Sequence, residues 1–226
     1  MPIPPSQDVF ALLTKLAQQP GPSLLVLVGP NGAGKSTFYK RYLAEIALPF
    51  VNADVLARTL IQSGAPEDES TERLAAELAE KKRREFVMKR ESFITETVFS
   101  DPIGAKVHAL RQAQAAGYTV VMVFLCVDSA ALTALRVESR VRDGGHGVPP
   151  GKIATRYERI RGNVKAALTF VDFAIVVDNS SFETPLRPVD IMAKGKVIDQ
   201  DPPLPWWAEE VLPKLGAEAL RPHDEL

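Results

Sequence analysis

At 226 residues the chain is long enough for one well-packed α/β domain and too short for two of ordinary size. Its hydrophobic content of 46% and charged content of 24% are those of a soluble globular protein, and a formal net charge of −1 excludes any whole-protein attraction to nucleic acid or anionic membrane. No run approaches the roughly 18 apolar residues of a membrane span. The start, Met1-Pro2-Ile3-Pro4-Pro5, lacks the basic and apolar regions of a secretory leader, and the lone Cys126, inside an apolar run, reads as a core thiol. A cytoplasmic protein is predicted.

Ser6 can cap an amphipathic helix over 7–19 with Val9, Phe10, Leu13 and Leu16 on its inner face, closed by Pro20-Gly21-Pro22. Leu24 to Val28 is an unbroken apolar run, the pattern of a strand buried on both faces of a parallel sheet. Gly29-Pro30-Asn31-Gly32-Ala33-Gly34-Lys35-Ser36-Thr37 follows and fits G-x-x-x-x-G-K-[ST], with a helix able to run from Ser36 to Leu43. Strand, glycine loop and helix in that order let successive backbone N–H groups turn inward on phosphate oxygens at a positive helix end. Gly29, Asn31, Gly32, Ala33, Gly34, Lys35, Ser36 and Thr37 are therefore predicted to cradle ATP, with Lys35 on the β- and γ-phosphates and the Ser36 hydroxyl on Mg²⁺.

A second short strand, 49–52, leads into a helix at Ala53-Asp54-Val55. Asp54, at the carboxyl end of that strand, is placed either to take a proton from an acceptor hydroxyl or to cap the helix. A long charged helix over about 71–89 has Leu74, Leu78 and Phe86 among its apolar positions; its run Glu80-Lys81-Lys82-Arg83-Arg84-Glu85 reads as a solvated face. Strand three, 92–96, ends in Glu96 and Thr97, candidates for contacting the substrate or a water on the metal. Ser100 is predicted to cap the next helix, with Pro102 in its first turn. Tyr118 to Val127 is the longest β-type run, and Asp128-Ser129 caps another helix.

Arg136, Arg140 and Arg142 on that helix, the glycine-rich loop 143–150, and Arg156, Arg159 and Arg161 on the next helix have the layout of an arginine lid. About two of the six are expected to reach phosphate. His146 has no carboxylate or second histidine nearby in sequence, so a lid or structural place suits it. A fifth buried strand, 173–177, precedes a hairpin turning at Lys194-Gly195 and a proline-rich tail with Trp206-Trp207 that packs back on the body. Strands alternating with helices give an α/β fold, a three-layer arrangement around a five-stranded parallel sheet. One domain over 1–226 is predicted: an N-terminal helix in 1–22, a core over 23–183 with the lid at about 136–156, and a hairpin with tail in 184–226.

The phosphate loop, Asn52-Ala53-Asp54, Glu96-Thr97-Val98, Arg140-Val141 before Gly144-Gly145-His146, Arg156-Tyr157-Glu158-Arg159 and Asp178-Asn179-Ser180 occur in that order. Over about residues 23 to 198 the set resembles the zeta-toxin-like branch of P-loop kinases. The resemblance implies a fold like that of nucleoside monophosphate kinases. It implies transfer of the ATP γ-phosphate to a hydroxyl of a small molecule, a UDP-linked amino sugar in zeta toxins, and restraint by an antitoxin. It also makes Lys35 the phosphate holder, Asp54 the general base and Glu96 with Thr97 the sugar-facing pair, with lid arginines Arg140 and Arg156 on the triphosphate. The ABC-type label sometimes given to such chains does not fit, since no Leu-Ser-Gly-Gly signature is present. Two other functions compete: a kinase of polynucleotide ends, resting on Lys81 to Arg84, and a nucleotide-dependent switch presenting Trp206 and Trp207 to a partner.

Overall fold

A computed structural model describes residues 6–142 and 150–213. The chain runs α1 (Ser6–Ala17), β1 (Ser23–Val28), α2 (Lys35–Phe38), β2 (Phe50–Val51), α3 (Ala53–Gln62), α4 (Glu69–Lys89), β3 (Phe93–Thr97) and α5 (Ala105–Ala115). It continues with β4 (Thr119–Cys126), α6 (Ala130–Arg142), α7 (Pro150–Leu168), β5 (Phe173–Asp178), β6 (Arg187–Ala193), β7 (Lys196–Gln200) and α8 (Trp206–Val211). The helix predicted after the phosphate loop does form, but α2 relaxes into a π-helical turn over Tyr39–Leu43 and a 3₁₀ turn over Ala44–Ile46.

The sheet order is β2-β3-β1-β4-β5-β6-β7. The first five strands are parallel, as predicted, and β6 and β7 extend the same sheet antiparallel, so the hairpin makes seven strands of one sheet. Strand side chains alternate between two cores. Leu24, Val26 and Val28 join the core covered by α4, α5, α7 and α8, whereas Leu25 and Leu27 join the one covered by α1 and α2. Val9, Leu13 and Leu16 bury as predicted, while the Phe10 side chain lies outside the described residues.

Two helices differ from expectation. In α4 the buried positions are Thr71, Ala75 and Ala79, and Leu74 stays exposed; small residues let this helix lie against α3 and the sheet edge. The helix after β3 begins at Ala105, not at Ser100-Pro102. Gly104 turns into it in the left-handed region, and the Asp101 carboxylate, rather than the Ser100 hydroxyl, accepts from the Ala105 and Lys106 amides. A charged acceptor at the positive end of a helix serves its free amides better than a neutral hydroxyl. Among the described residues no helix is long and apolar enough to cross a membrane.

Candidate active site

The site starts from the end of β1. Gly29 has φ +151°, and a Cβ there would sit 2.1 Å from the Leu125 carbonyl oxygen of β4, so only glycine lets the chain leave the sheet this close to its neighbour. The loop turns through Gly32 and Gly34, both at positive φ, and delivers Lys35 into the first position of α2. Lys35 is 7% exposed; its Nζ donates to the Gly29 and Pro30 carbonyls at 2.9 and 3.0 Å and lies 3.8 Å from Glu96 Oε1.

Parallel register brings the other groups to the same edge. Leu27 pairs with Glu96 and Val28 with Thr97, while Val51 pairs with Thr95, so the carboxyl ends of β1, β2 and β3 open together. Asn52, just past β2, does two jobs. Its Oδ1 accepts from the Asp54 and Val55 amides at 2.7 and 3.2 Å as the cap of α3, and its Nδ2 donates to Glu96 Oε2 at 2.8 Å. Asp54 is thus not the helix cap; its side chain is left exposed in the first turn of α3, on the wall of the cleft. Thr97 Oγ1 accepts from Lys106 Nζ at 2.6 Å and from the Phe99 amide at 3.3 Å.

These residues line a cleft of about 670 Å³ together with Asn31, Gly32, Gly34, Ser36 and Thr37. Arg83, Lys106, Arg136 and Arg156 enter it from α4, α5, α6 and α7. Arg83 donates to Glu80 Oε2 at 2.9 Å and to Thr95 Oγ1 at 3.3 Å, so part of the charged run of α4 faces the cleft while Lys81, Lys82 and Arg84 are exposed as predicted. Burial lowers the proton affinity of Lys106, with the nearby Arg83 charge adding to it.

The six arginines of the expected lid divide. Arg136 and Arg156 reach the cleft, Arg142 and Arg159 are exposed, and the Arg140 side chain lies outside the described residues, as does His146. Arg136 Nη1 donates to the Asn179 carbonyl at 2.7 Å, and its guanidinium sits 5.3 Å from the Phe182 ring centroid. Arg161 points away, buried between the Tyr157 and Trp206 rings and ion-paired with Glu158 and Glu210. Asn179 braces the phosphate loop from behind: its Nδ2 donates to the Ala33 carbonyl at 2.9 Å and its Oδ1 accepts from the Leu186 amide at 3.1 Å.

Sequence reasoning missed Arg83, Lys106 and the bridging role of Asn52. The sequence signal for Asn52 was its place one residue past a strand and directly before a helix. Lys106 carried none and Arg83 stood out only as part of the charged run, because both reach the cleft only through tertiary packing. The thiol of Cys126 is a core group: burial pushes it up to about 12, and it contacts the Tyr157 hydroxyl at 3.8 Å.

The residues present fit a nucleotide with its metal. The buried Oδ1 of Asn31, a residue that lines the cleft, has no partner among the described residues, a place open to a group bound in the loop. Among those residues no three of His, Cys, Asp and Glu gather as a metal cage. A Mg²⁺ ion held by the Ser36 hydroxyl, phosphate oxygens and water needs none.

The profile of the family described as AAA domain matches residues 24–160. A candidate kinase from Chloroflexus aurantiacus superposes with a TM-score of 0.55 at 18% identity, over 73% of this chain and 91% of that one. The AvrRxo1-ORF1:AvrRxo1-ORF2 complex with ATP gives 0.56 at 13% identity, over 93% and 72%. The PezAT chromosomal toxin–antitoxin system of Streptococcus pneumoniae gives 0.55 at 12%, over 80% and 79%. At such identities the likeness speaks for the fold, which is that of P-loop kinases and agrees with the zeta-toxin-like resemblance. No curated protein matches the sequence.

Proposed function

The chain belongs to the AAA domain family, and from its P-loop kinase fold we propose that it is an ATP- and Mg²⁺-dependent phosphotransferase acting on a hydroxyl of a small molecule. The observation that carries this reading is the meeting, at one sheet edge, of a phosphate loop and two carboxylates in different surroundings. Glu96 is fastened by Asn52 and sits near Lys35, whereas Asp54 is exposed toward the cleft. A fastened carboxylate orients its neighbours; an exposed one can exchange a proton with a substrate.

In this reading the N–H groups from Gly29 to Thr37 and the Lys35 ammonium hold the triphosphate, and Ser36 ligates the metal. When bound, Mg²⁺ would supply charge neutralisation on the phosphates. Asp54 accepts the proton of the acceptor hydroxyl as that oxygen bonds to the γ-phosphorus; the bond from phosphorus to the β,γ-bridging oxygen breaks and ADP leaves. Arg156, Arg140 and Arg136 spread positive charge over the moving phosphoryl group. Glu96 and Thr97 face the acceptor. A UDP-linked amino sugar is the best single acceptor, by resemblance to zeta toxins, and an antitoxin is the partner of stated precedent, since two of the similar structures are of paired proteins.

The test is product mass after incubation with Mg·ATP and a pool of UDP-linked sugars. A sugar heavier by one phosphate, absent with Lys35→Ala and strongly reduced with Asp54→Asn at unchanged ATP affinity, supports the reading. Undiminished turnover in Asp54→Asn removes Asp54 as base. Of the tail's two tryptophans Trp207 is fully buried, and Trp206, half exposed, donates its Nε1 to the Asp128 carbonyl at 2.9 Å, so at most one of them is open to a partner.

A further inference from the structure

Two routes join the phosphate loop to Asp54, and only one of them is polar. The polar route runs from Lys35 to Glu96 Oε1 at 3.8 Å, and from Glu96 Oε2 to Asn52, the cap of α3. The other is aromatic. Tyr39, one turn after Lys35 and the first residue beyond α2, lays its ring on Phe50 of β2, with centroids 3.8 Å apart and planes 14° from parallel. At Tyr39 the helix widens into a π turn, in which the Ala44 amide reaches back five residues to the Tyr39 carbonyl. Phe38, Tyr42 and Leu43 stay buried in the core on that side, and Tyr39 is left at its edge, half-buried against β2. Strand β2 has little else to hold it. It is two residues long, ends the sheet order and, among the described residues, pairs only with Ile94 and Thr95 of β3. The next residue is Asn52, whose Oδ1 accepts from the Asp54 and Val55 amides and whose carbonyl accepts from that of Leu56.

Resting on the reading of the loop as a nucleotide site, we propose that Tyr39 is a positioning residue for Asp54. Filling of the phosphate loop sets α2, and the Tyr39–Phe50 stack passes that setting through β2 to Asn52 and the first turn of α3. A triphosphate competes for the Lys35 ammonium, so the polar route loosens as nucleotide binds. The stack has no polar contact for the ligand to take, and its two faces stay together by ring contact and burial. Asp54, exposed on the cleft wall, is then held in place by the same event that brings in the phosphoryl group.

Amide hydrogen exchange of the full chain, read residue by residue by NMR with and without Mg²⁺ and a non-hydrolysable ATP analogue, tests this. In the native chain the analogue should slow exchange about tenfold, both in the loop from Gly29 to Thr37 and at the Asp54, Val55 and Leu56 amides. Tyr39→Leu should keep the slowing in the loop and cut that at the three amides to less than about twofold. Tyr39→Phe, which keeps the ring, should restore it. Phe50→Leu should match Tyr39→Leu, and the double variant should lose no more than either alone. The ratio between the two states is what counts, because a merely weakened strand speeds exchange in both. Slowing at the three amides that survives Tyr39→Leu overturns the proposal and assigns the link to Glu96 and Asn52. Slowing lost from loop and amides together in that variant also overturns it, making Tyr39 a support of the loop. So does a native chain slowed in the loop alone. No slowing in the native loop would defeat the nucleotide reading and this proposal with it.

Discussion

Gly34 shows how one residue can serve two constraints. Its φ of +95° suits glycine, and a Cβ there would lie 2.4 Å from Asn179 Nδ2, the atom that holds the Ala33 carbonyl. Gly34→Ala should therefore destabilise the fold by about 1–3 kcal/mol and weaken ATP binding, measured by denaturant unfolding and calorimetry. If the clash is the larger part, the same substitution in an Asn179→Ala background should cost about 1 kcal/mol less than it does alone; a fully additive pair would assign the damage to the backbone. Asn52 separates in the same way. Asn52→Asp keeps the oxygen that caps α3 but sets a second carboxylate against Glu96 Oε2, now 2.8 Å from the amide nitrogen. Turnover should fall at least about tenfold with stability changed by less than about 1 kcal/mol, whereas Asn52→Ala should lose the cap as well. Equal unfolding midpoints for the two variants would contradict this assignment. The motif residues of this site were legible because a phosphate loop is local: Gly29 to Thr37 form one turn of consecutive chain. The place of Asn52 before a helix hints at its cap, but its reach to Glu96, like that of Lys106 to Thr97, crosses element boundaries and leaves no local pattern.

At the scale of elements, strands were easier to read than helix faces. A parallel strand buried on both sides must be apolar throughout, and Leu24 to Val28 and Val120 to Cys126 are; there was one interpretation available. Helix α4 misled because its inward stripe is Thr71, Ala75 and Ala79, small residues that periodicity weights lightly beside the exposed Leu74. The edge hairpin holds a further departure from pattern. Asp190, in the middle of β6, is fully buried; Gln200 Nε2 donates to its Oδ2 at 2.8 Å, and Oδ1 has no partner among the described residues. Burial, with Asp199 adding to it, pushes its carboxyl up to about 7 from an ordinary 3.8. Between those values the folded state holds a proton that the unfolded chain releases. The stability from this group is therefore full below about pH 4, declines as pH rises through 7 and stays lost above it. The loss has a ceiling of roughly 4 kcal/mol. Asp190→Asn should remove this slope and raise the melting temperature at pH 8 above that of the native chain. An unchanged pH profile would mean that another group sets it.

At the scale of the molecule, strand order was inferable only as a class. Alternating strands and helices dictate a parallel sheet, but that β1 lies between β3 and β4, and that β6 and β7 continue the sheet, depends on which apolar faces meet in three dimensions. The tail closes the arrangement. Trp207 is buried against Phe124 of β4, ring centroids 5.5 Å apart and nearly perpendicular, and Arg161 of α7 is held by Glu210 at 3.4 Å with Trp206 against its guanidinium. Helix α7 carries Arg156 at the cleft and Arg161 under α8, so the tail fastens the same helix that presents a cation to the site. Trp207→Ala opens a cavity behind β4 and should cost about 3–5 kcal/mol in denaturant unfolding. Because α8 also anchors α7, the variant that remains folded should retain its ATP affinity, set by the loop after β1, and lose acceptor-dependent rate through looser placement of Arg156. Loss of ATP affinity with acceptor turnover preserved per bound nucleotide would show that the tail supports the phosphate loop through β4, and not the lid helix.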